Sequence, residues 1–403
     1  MTLEIITPRM RGFLATNAHP AGCRSNVETQ IQIARTALSG AGGSHGGTAL
    51  VLGASTGYGL ASRIAAAFGC GMNTIGAFYE RPPSEKKTAS AGWYNTCAFH
   101  DAARAAGLRA DSINGDAFSA EISNEVIAKL KDGYGPVQYV FYSLAAPTRT
   151  DPASGISYRS VLKPIGGTYV TKSIDLDKGE VVDVSFDPAT DDEIAATTAV
   201  MGGDDLKRWV NALLDAGVLA PNARVIAYSY IGPEVTWPIY RSGTIGRAKE
   251  HLEKTAVALD KQLQASIGGN CWVSVNKAVV TQASAAIPAV PLYISLLYKS
   301  MKERGLHEEP IHQAVRMMRD HLRVGRTPTL DDGGRIRLDD WEMRDDVQAE
   351  VAQRWGQATT ENLGELSDFA GYRTDFRRLF GFEVAGVDYD QPVETNELIS
   401  IGA

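Results

Sequence analysis

The sequence predicts an α/β protein: a Rossmann-type, doubly wound parallel sheet with helices on both faces, enlarged by insertions that form a substrate-binding lid. Three observations predict it. Short β-rich apolar runs alternate with helical stretches over residues 48–275, a rhythm that makes strands parallel and covers both faces of the sheet. A glycine cluster, Gly53, Gly57 and Gly59, follows the first run and opens the first helix after it. Behind the fifth run, Tyr240 and Lys249 stand nine residues apart.

The elements follow in order. Residues 39–47 are the only low-complexity patch and read as a flexible connector into the first core strand. The strands are expected at 48–53, 73–79, 108–113, 137–143, 223–228 and 271–275, the third being the weakest. Helical patterns lie between them at 60–68, 95–106, 121–131 and 246–264. Residues 148–188 are rich in Gly, Pro, Asp and Lys without helical period, so they read as hairpins or loops. The domain reading is one Rossmann-type catalytic domain over 1–403. It carries an inserted hairpin region at 148–190 near the substrate site. A C-terminal extension, 327–403, packs on the core and holds a helix around 345–355.

Composition narrows the function. A net charge of −7 with scattered basic residues argues against a nucleic-acid surface. Cys23, Cys70, Cys97 and Cys271 are far apart and read as free thiols, and neither they nor the seven histidines show metal-ligand spacing. The metal expectation is therefore none. The first residues carry no basic segment followed by an apolar one, and no apolar stretch approaches the ~20 residues that span a bilayer. The chain reads as cytoplasmic, without stable membrane insertion.

The turn from Gly53 through Ala54, Ser55, Thr56, Gly57 and Tyr58 has the context of a dinucleotide site: strand before, helix after. Such a turn brings backbone close to a pyrophosphate and aims a helix N-terminus at the anion. Tyr79 and Glu80 end the second strand, and Glu80 lies 21 residues beyond Gly59. That is close to the ~20 expected of an acidic residue on the adenosine ribose. A carboxylate there repels a 2′-phosphate, so NADH is expected over NADPH. Asp116 and Ala117 follow the third strand, and Leu144 and Ala145 the fourth, where adenine and the nicotinamide ribose would border.

Tyr240 and Lys249 would face opposite sides of one straight helix, since nine residues turn it about half a revolution past two. The chain must bend between them, and Gly243 and Gly246 are expected to supply the bend through backbone angles other residues avoid. Beside a nicotinamide, a lysine binds ribose hydroxyls and lowers the pKa of the tyrosine. The tyrosine then serves an oxygen that gains charge during hydride transfer.

The motifs Gly53–Leu60, Gly92-Trp-Tyr-Asn95, Tyr142–Pro147, Val200-Met-Gly-Gly203, Ala227–Gly232, Tyr240-x8-Lys249, Ser274–Thr281 and Ala370–Arg373 resemble the single-chain trans-2-enoyl-CoA reductases. These are similar to the FabV-type enoyl-acyl-carrier-protein reductases. The likeness runs from Asn17 to Tyr389. It implies NADH-dependent reduction of the trans-2,3 double bond of an enoyl thioester, in fatty acid metabolism. Tyr240 would be the proton donor, Lys249 a cofactor-binding lysine and Tyr230 a substrate-binding residue. Val279, Val280 and Thr281 would be backbone contacts to the cofactor. The carrier, coenzyme A or acyl carrier protein, stays open, with Tyr228–Gly232 slightly closer to the CoA-linked branch. Family size leans towards a monomer. Two other readings fit the same scaffold: a short-chain-type carbonyl reductase, and a non-catalytic NADH-binding regulator, against which the intact Tyr240/Lys249 pair argues.

Overall fold

The structure is a computed structural model that describes residues 3–12, 14–39, 46–287, 289–323 and 325–399. The connector expected at 39–47 lies mostly outside the described residues. The central sheet holds seven parallel strands: β1 (Thr48–Leu52), β2 (Asn73–Phe78), β3 (Ala110–Asn114), β4 (Val137–Tyr142), β5 (Leu219–Ser229), β6 (Asn270–Val275) and β7 (Ile336–Arg337). Their order is β7-β6-β5-β4-β1-β2-β3. Winding runs outward in both directions from β1, so the order reverses between β1 and β4. Every β1 residue is buried, as expected of a strand covered on both faces.

Helices cover both faces. On one side pack α1 (Pro20–Leu38), α2 (Gly57–Ile64) and α3 (Ala91–Ala105), with Val27, Ile31, Ile64 and Phe99 against Val51 and Phe141. On the other pack α4 (Ala120–Lys129), α6 (Asp204–Asp215) and α7 (Thr244–Ile267), with α5 (Asp191–Met201) lying against α7. There Val126, Trp209, Leu213 and Leu259 meet Leu50, Leu52 and Val140. Local chemistry sets the ends of these helices. Ser119 caps α4 through Ile122 N at 3.2 Å, Thr190 and Glu193 form a capping box on α5, and Gly268 ends α7 at φ 70°.

A third core lies beyond the sheet. It surrounds α9 (Val290–Glu303), which follows the single turn α8 (Gln282–Ala285). Leu292, Ile294, Leu296 and Leu297 of α9 are fully buried, at ~1.5–3 kcal/mol each. After α10 (Pro310–Arg316), the chain adds β7, α11 (Asp345–Gln357), α12 (Leu363–Leu366) and α13 (Phe369–Arg378). Val347, Val351 and Phe376 of these helices fill the same core. Residues 148–186 form two antiparallel hairpins, and the second, Tyr169–Asp175 with Glu180–Phe186, packs against α9. Lys172 Nζ fastens that hairpin to the end of α11, donating to the carbonyls of Trp355, Gly356 and Ala358 at 3.0–3.2 Å. A cation is favoured at a helix C-terminus.

Candidate active site

Open α/β sheets bind ligands where strand order reverses, at the carboxyl ends of the strands. Here that point is the gap between Gly53 and Ser143. Gly53 adopts φ 87° and donates its N–H to Ala77 O at 2.8 Å, which turns the chain sharply out of β1. A side chain on Gly59 would overlap the Gly53 carbonyl, so this glycine lets α2 begin directly against the turn. The first amides of α2 then face a cavity of about 640 Å³.

Most of the expected cofactor residues meet in this cavity, Ala54 and Lys249 being the exceptions. Gly53, Ser55, Thr56, Gly57 and Tyr58 line it from the turn, Tyr79 and Glu80 from the end of β2, and Asp116 and Ala117 from the end of β3. Leu144 and Ala145 follow β4, and Val279, Val280 and Thr281 cross from the end of β6. Ala54 is fully buried beneath the turn and does not line the cavity.

Glu80 is held in place by hydrogen bonds to its side chain and its backbone. Its Oε1 accepts from Ser55 Oγ at 2.6 Å, its backbone N–H donates to Asn114 Oδ1 at 2.8 Å, and Asn114 Nδ2 donates back to Glu80 O. Gly92 leaves the room the carboxylate occupies, since a side chain there would overlap it. Burial raises the Glu80 carboxyl, while the Ser55 bond and the Arg81 charge pull it back down.

Tyr240, Tyr230 and Lys249, expected at the site, are not among the residues that line the cavity. Tyr240 lies in the turn before α7, its N–H donating to Thr236 O at 2.9 Å, and Lys249 lies in the second turn of α7. The bend between them has a different cause from the one expected. Neither Gly243 nor Gly246 has a positive φ. A side chain at Gly243 would overlap the Ile239 carbonyl, and one at Gly246 the Arg241 carbonyl. Close backbone approach therefore selects glycine there. The turn is also held from the insertion, because Thr244 N–H donates to Lys163 O at 3.0 Å.

The rings of Tyr230 and Tyr240 meet edge to face with centroids 4.9 Å apart. Lys249 Nζ donates to Tyr228 O at 3.3 Å, and the Tyr228 ring packs on that of Tyr58, a cavity residue. Burial lowers the Lys249 ammonium to about 8, with Glu253 acting the other way. Burial also raises the Tyr240 phenol. The lowering expected from Lys249 is not seen: burial alone acts on the phenol, and the ammonium points at the Tyr228 carbonyl. A raised phenol stays protonated at neutral pH, as a proton donor must.

The sequence reading missed cavity residues on elements it did not resolve: Asn26 and Gln30 of α1, Glu309 at the cap of α10, and Asp375 and Arg378 of α13. The spacing of Val27, Ile31, Ala34 and Leu38, with Pro20 opening the helix, was a usable signal for α1. Nothing local marks Asp375 or Arg378. All four cysteines are free and buried, as expected, and no group able to hold a metal ion occurs among the described residues. Nor is any helix there long and apolar enough to cross a membrane.

A dinucleotide cradle at the switch point, with a buried Tyr and a partly buried Lys on the elements that follow β5, defines a nicotinamide-dependent oxidoreductase. Family models narrow the class. Residues 5–85 match the NAD(P)H binding domain of trans-2-enoyl-CoA reductase, 87–323 its catalytic region, and 330–393 an enoyl reductase FAD binding domain. A curated enoyl-[acyl-carrier-protein] reductase [NADH] of Flavobacterium johnsoniae is 56% identical over 397 residues, 98% of this chain and 99% of that protein. One of Coxiella burnetii is 54% identical, over 98% and 97%. The crystal structure of Treponema denticola trans-2-enoyl-CoA reductase in complex with NAD superposes with a TM-score of 0.93 at 46% identity, covering 99% and 100%. That of the Clostridium acetobutulicum enzyme in complex with NADH gives 0.93 at 41%, also over 99% and 100%. The chain belongs to the trans-2-enoyl-CoA reductase family and is an NADH-dependent reductase of enoyl thioesters.

Residues 330–393 do not fit a flavin dinucleotide. After β7 the chain continues Leu338-Asp339-Asp340, with no glycine turn into a helix, and α11 opens with Asp345 and Asp346, which repel a pyrophosphate. The apolar side chains of α11 and α13 are spent on the third core.

Proposed function

We propose that Tyr240 is the proton donor for the reduction, that Lys249 holds the cofactor's ribose and that Tyr230 borders the thioester. The observation that carries the reading is the edge-to-face pair Tyr230–Tyr240 at the carboxyl end of β5, next to the dinucleotide cradle. NADH supplies a hydride to C3 of the enoyl group. Charge then develops on the thioester oxygen, and the Tyr240 O–H is placed to stabilise it and to give the proton that completes the C2–H bond. The second hairpin of 148–186 and helices α9 and α13 share the apolar core in which Tyr240 is buried and against which Tyr230 packs, and a low local dielectric strengthens that hydrogen bond.

We infer that the thioester is carried on acyl carrier protein. The relatives of 52–56% identity over nearly the full chain bear that name, whereas the CoA-named structures stand at 41–46%. The test compares kcat/KM for crotonyl-acyl carrier protein and crotonyl-CoA. A higher value on the protein-borne substrate is expected, and a higher value on crotonyl-CoA overturns the assignment.

Glu80 is assigned to the adenosine ribose. Two like charges ~4 Å apart near a protein surface repel by roughly 1–4 kcal/mol. Glu80→Gln keeps the size and removes the charge, so the NADH-to-NADPH ratio of kcat/KM is expected to fall about tenfold or more. An unchanged ratio would place the selectivity elsewhere.

A further inference from the structure

The Tyr230 hydroxyl is already committed. It donates to Glu342 Oε1 at 3.0 Å, and the Tyr293 hydroxyl donates to the same oxygen at 2.6 Å. The other oxygen, Oε2, accepts from Ala278 N–H at 2.6 Å. Glu342 is wholly buried, yet it lies 112 residues from Tyr230 in the chain, on the loop between β7 and α11. Gln348 Nε2 pins the arrangement from behind, donating to Tyr293 Oη at 3.1 Å and to Glu342 O at 2.7 Å. One carboxylate therefore joins the tyrosine that borders the substrate to the strand exit, Ala278, that leads into Val279–Thr281 on the cofactor side.

We propose that Glu342 is a positioning residue for the reduction: by accepting a hydrogen bond from the Tyr230 hydroxyl it fixes that ring edge-on against Tyr240 and leaves Tyr240 as the phenol free to donate to the thioester oxygen. The inference rests on the placement of Tyr230 at the substrate. The chemistry favours a structural carboxylate over an incidental one. A buried carboxylate without partners costs several kcal/mol, and here three donors converge on it. Burial raises the Glu342 carboxyl, while the charge of Lys277 and the bonds from Tyr293 and Ala278 pull it down. Lys277 Nζ itself donates to Ala278 O at 2.8 Å. Each phenol has one proton. A Tyr230 that donates to Glu342 cannot donate to substrate as well, so the two neighbouring tyrosines, alike in type, receive different tasks.

Glu342→Gln tests this cleanly. The amide keeps the Ala278 bond only by turning its NH2 on the phenols, so the change reaches Tyr230 without cutting the backbone anchor. We expect kcat on crotonyl-CoA to fall about tenfold, within the range of coupling inside one hydrogen-bond network, at unchanged KM for NADH. In a Tyr230→Phe background the same substitution should change kcat by less than about twofold, because its route of action is gone. Thermal melting reports whether the variant folds. If it does not, Tyr293→Phe perturbs the same carboxylate oxygen from the other side and should show the same loss of effect in the Tyr230→Phe background. Independent, multiplying effects overturn the role of Glu342 while the placement of Tyr230 stands. A Tyr230→Phe enzyme with unaltered kcat and unaltered KM for crotonyl-CoA overturns that placement and this inference with it.

Discussion

Replacing Tyr240 with Phe is expected to lower kcat on crotonyl-CoA by ~10²–10⁴-fold, the usual span for a general acid, and to leave NADH affinity within about twofold. The asymmetry follows from the structure. The Tyr240 ring is buried against Tyr230 and belongs to the core around α9. Phe fills the same volume, so the turn before α7 and the nearby Lys249 stay in place. Among the described residues nothing stabilises the phenol: burial alone acts on it. Removing the hydroxyl strands no buried partner, so the melting temperature should move by only a few degrees. On the proposed role, what is lost is the O–H that would meet the thioester oxygen as charge develops, an interaction made in the transition state and not with the cofactor. Single-turnover decay of NADH absorbance, with NADH binding followed by fluorescence, separates the two quantities. An unchanged kcat removes Tyr240 from the mechanism.

The sheet was legible because its strands are long, apolar and punctuated. β1 and β4 are buried on both faces and read as continuous hydrophobic runs, and Gly53 marks the turn out of the first. β7 was not legible: Ile336–Arg337 has two residues and no period, and it pairs with β6 while Ile336 and the following Leu338 are buried in the core shared with α1 and α2. α3 begins at Ala91, four residues before its expected start at Asn95, because Gly92 and Trp93 weaken the helical pattern that Ser90 precedes. α9 is apolar around nearly its whole circumference, so its sequence shows no stripe.

The candidate site divides the same way. Residues on the strand ends were found because strand position fixes which edge they face. Glu342 was not, because its importance lies in contacts with Tyr230, Ala278 and Tyr293, none of them close in sequence. The Tyr240–Lys249 spacing showed that the chain must bend. It did not show that the glycines act through close approach to the Ile239 and Arg241 carbonyls, which only packing reveals.

Lys249→Met is expected to weaken NADH binding by roughly 10–100-fold, since a hydrogen bond from a charged donor contributes about 1.5–3 kcal/mol. Met keeps the aliphatic stem in α7, so the loss isolates the ammonium. The pH dependence gives a sharper test. Burial holds Lys249 at about 8, below the ordinary lysine range, and on the proposed role the protonated form is the one that would donate to ribose oxygens. The kcat/KM for NADH should therefore be flat below pH ~8 and fall as pH rises through it. Lys277 is held at about 8 by burial as well, so the limb needs assignment. Lys249→Arg decides it. A guanidinium stays charged throughout this range and leaves Lys277 untouched, so the alkaline limb should disappear if Lys249 causes it. A limb that persists in both the Met and the Arg variants would transfer the titration to Lys277 and leave Lys249 without its proposed hold on the cofactor.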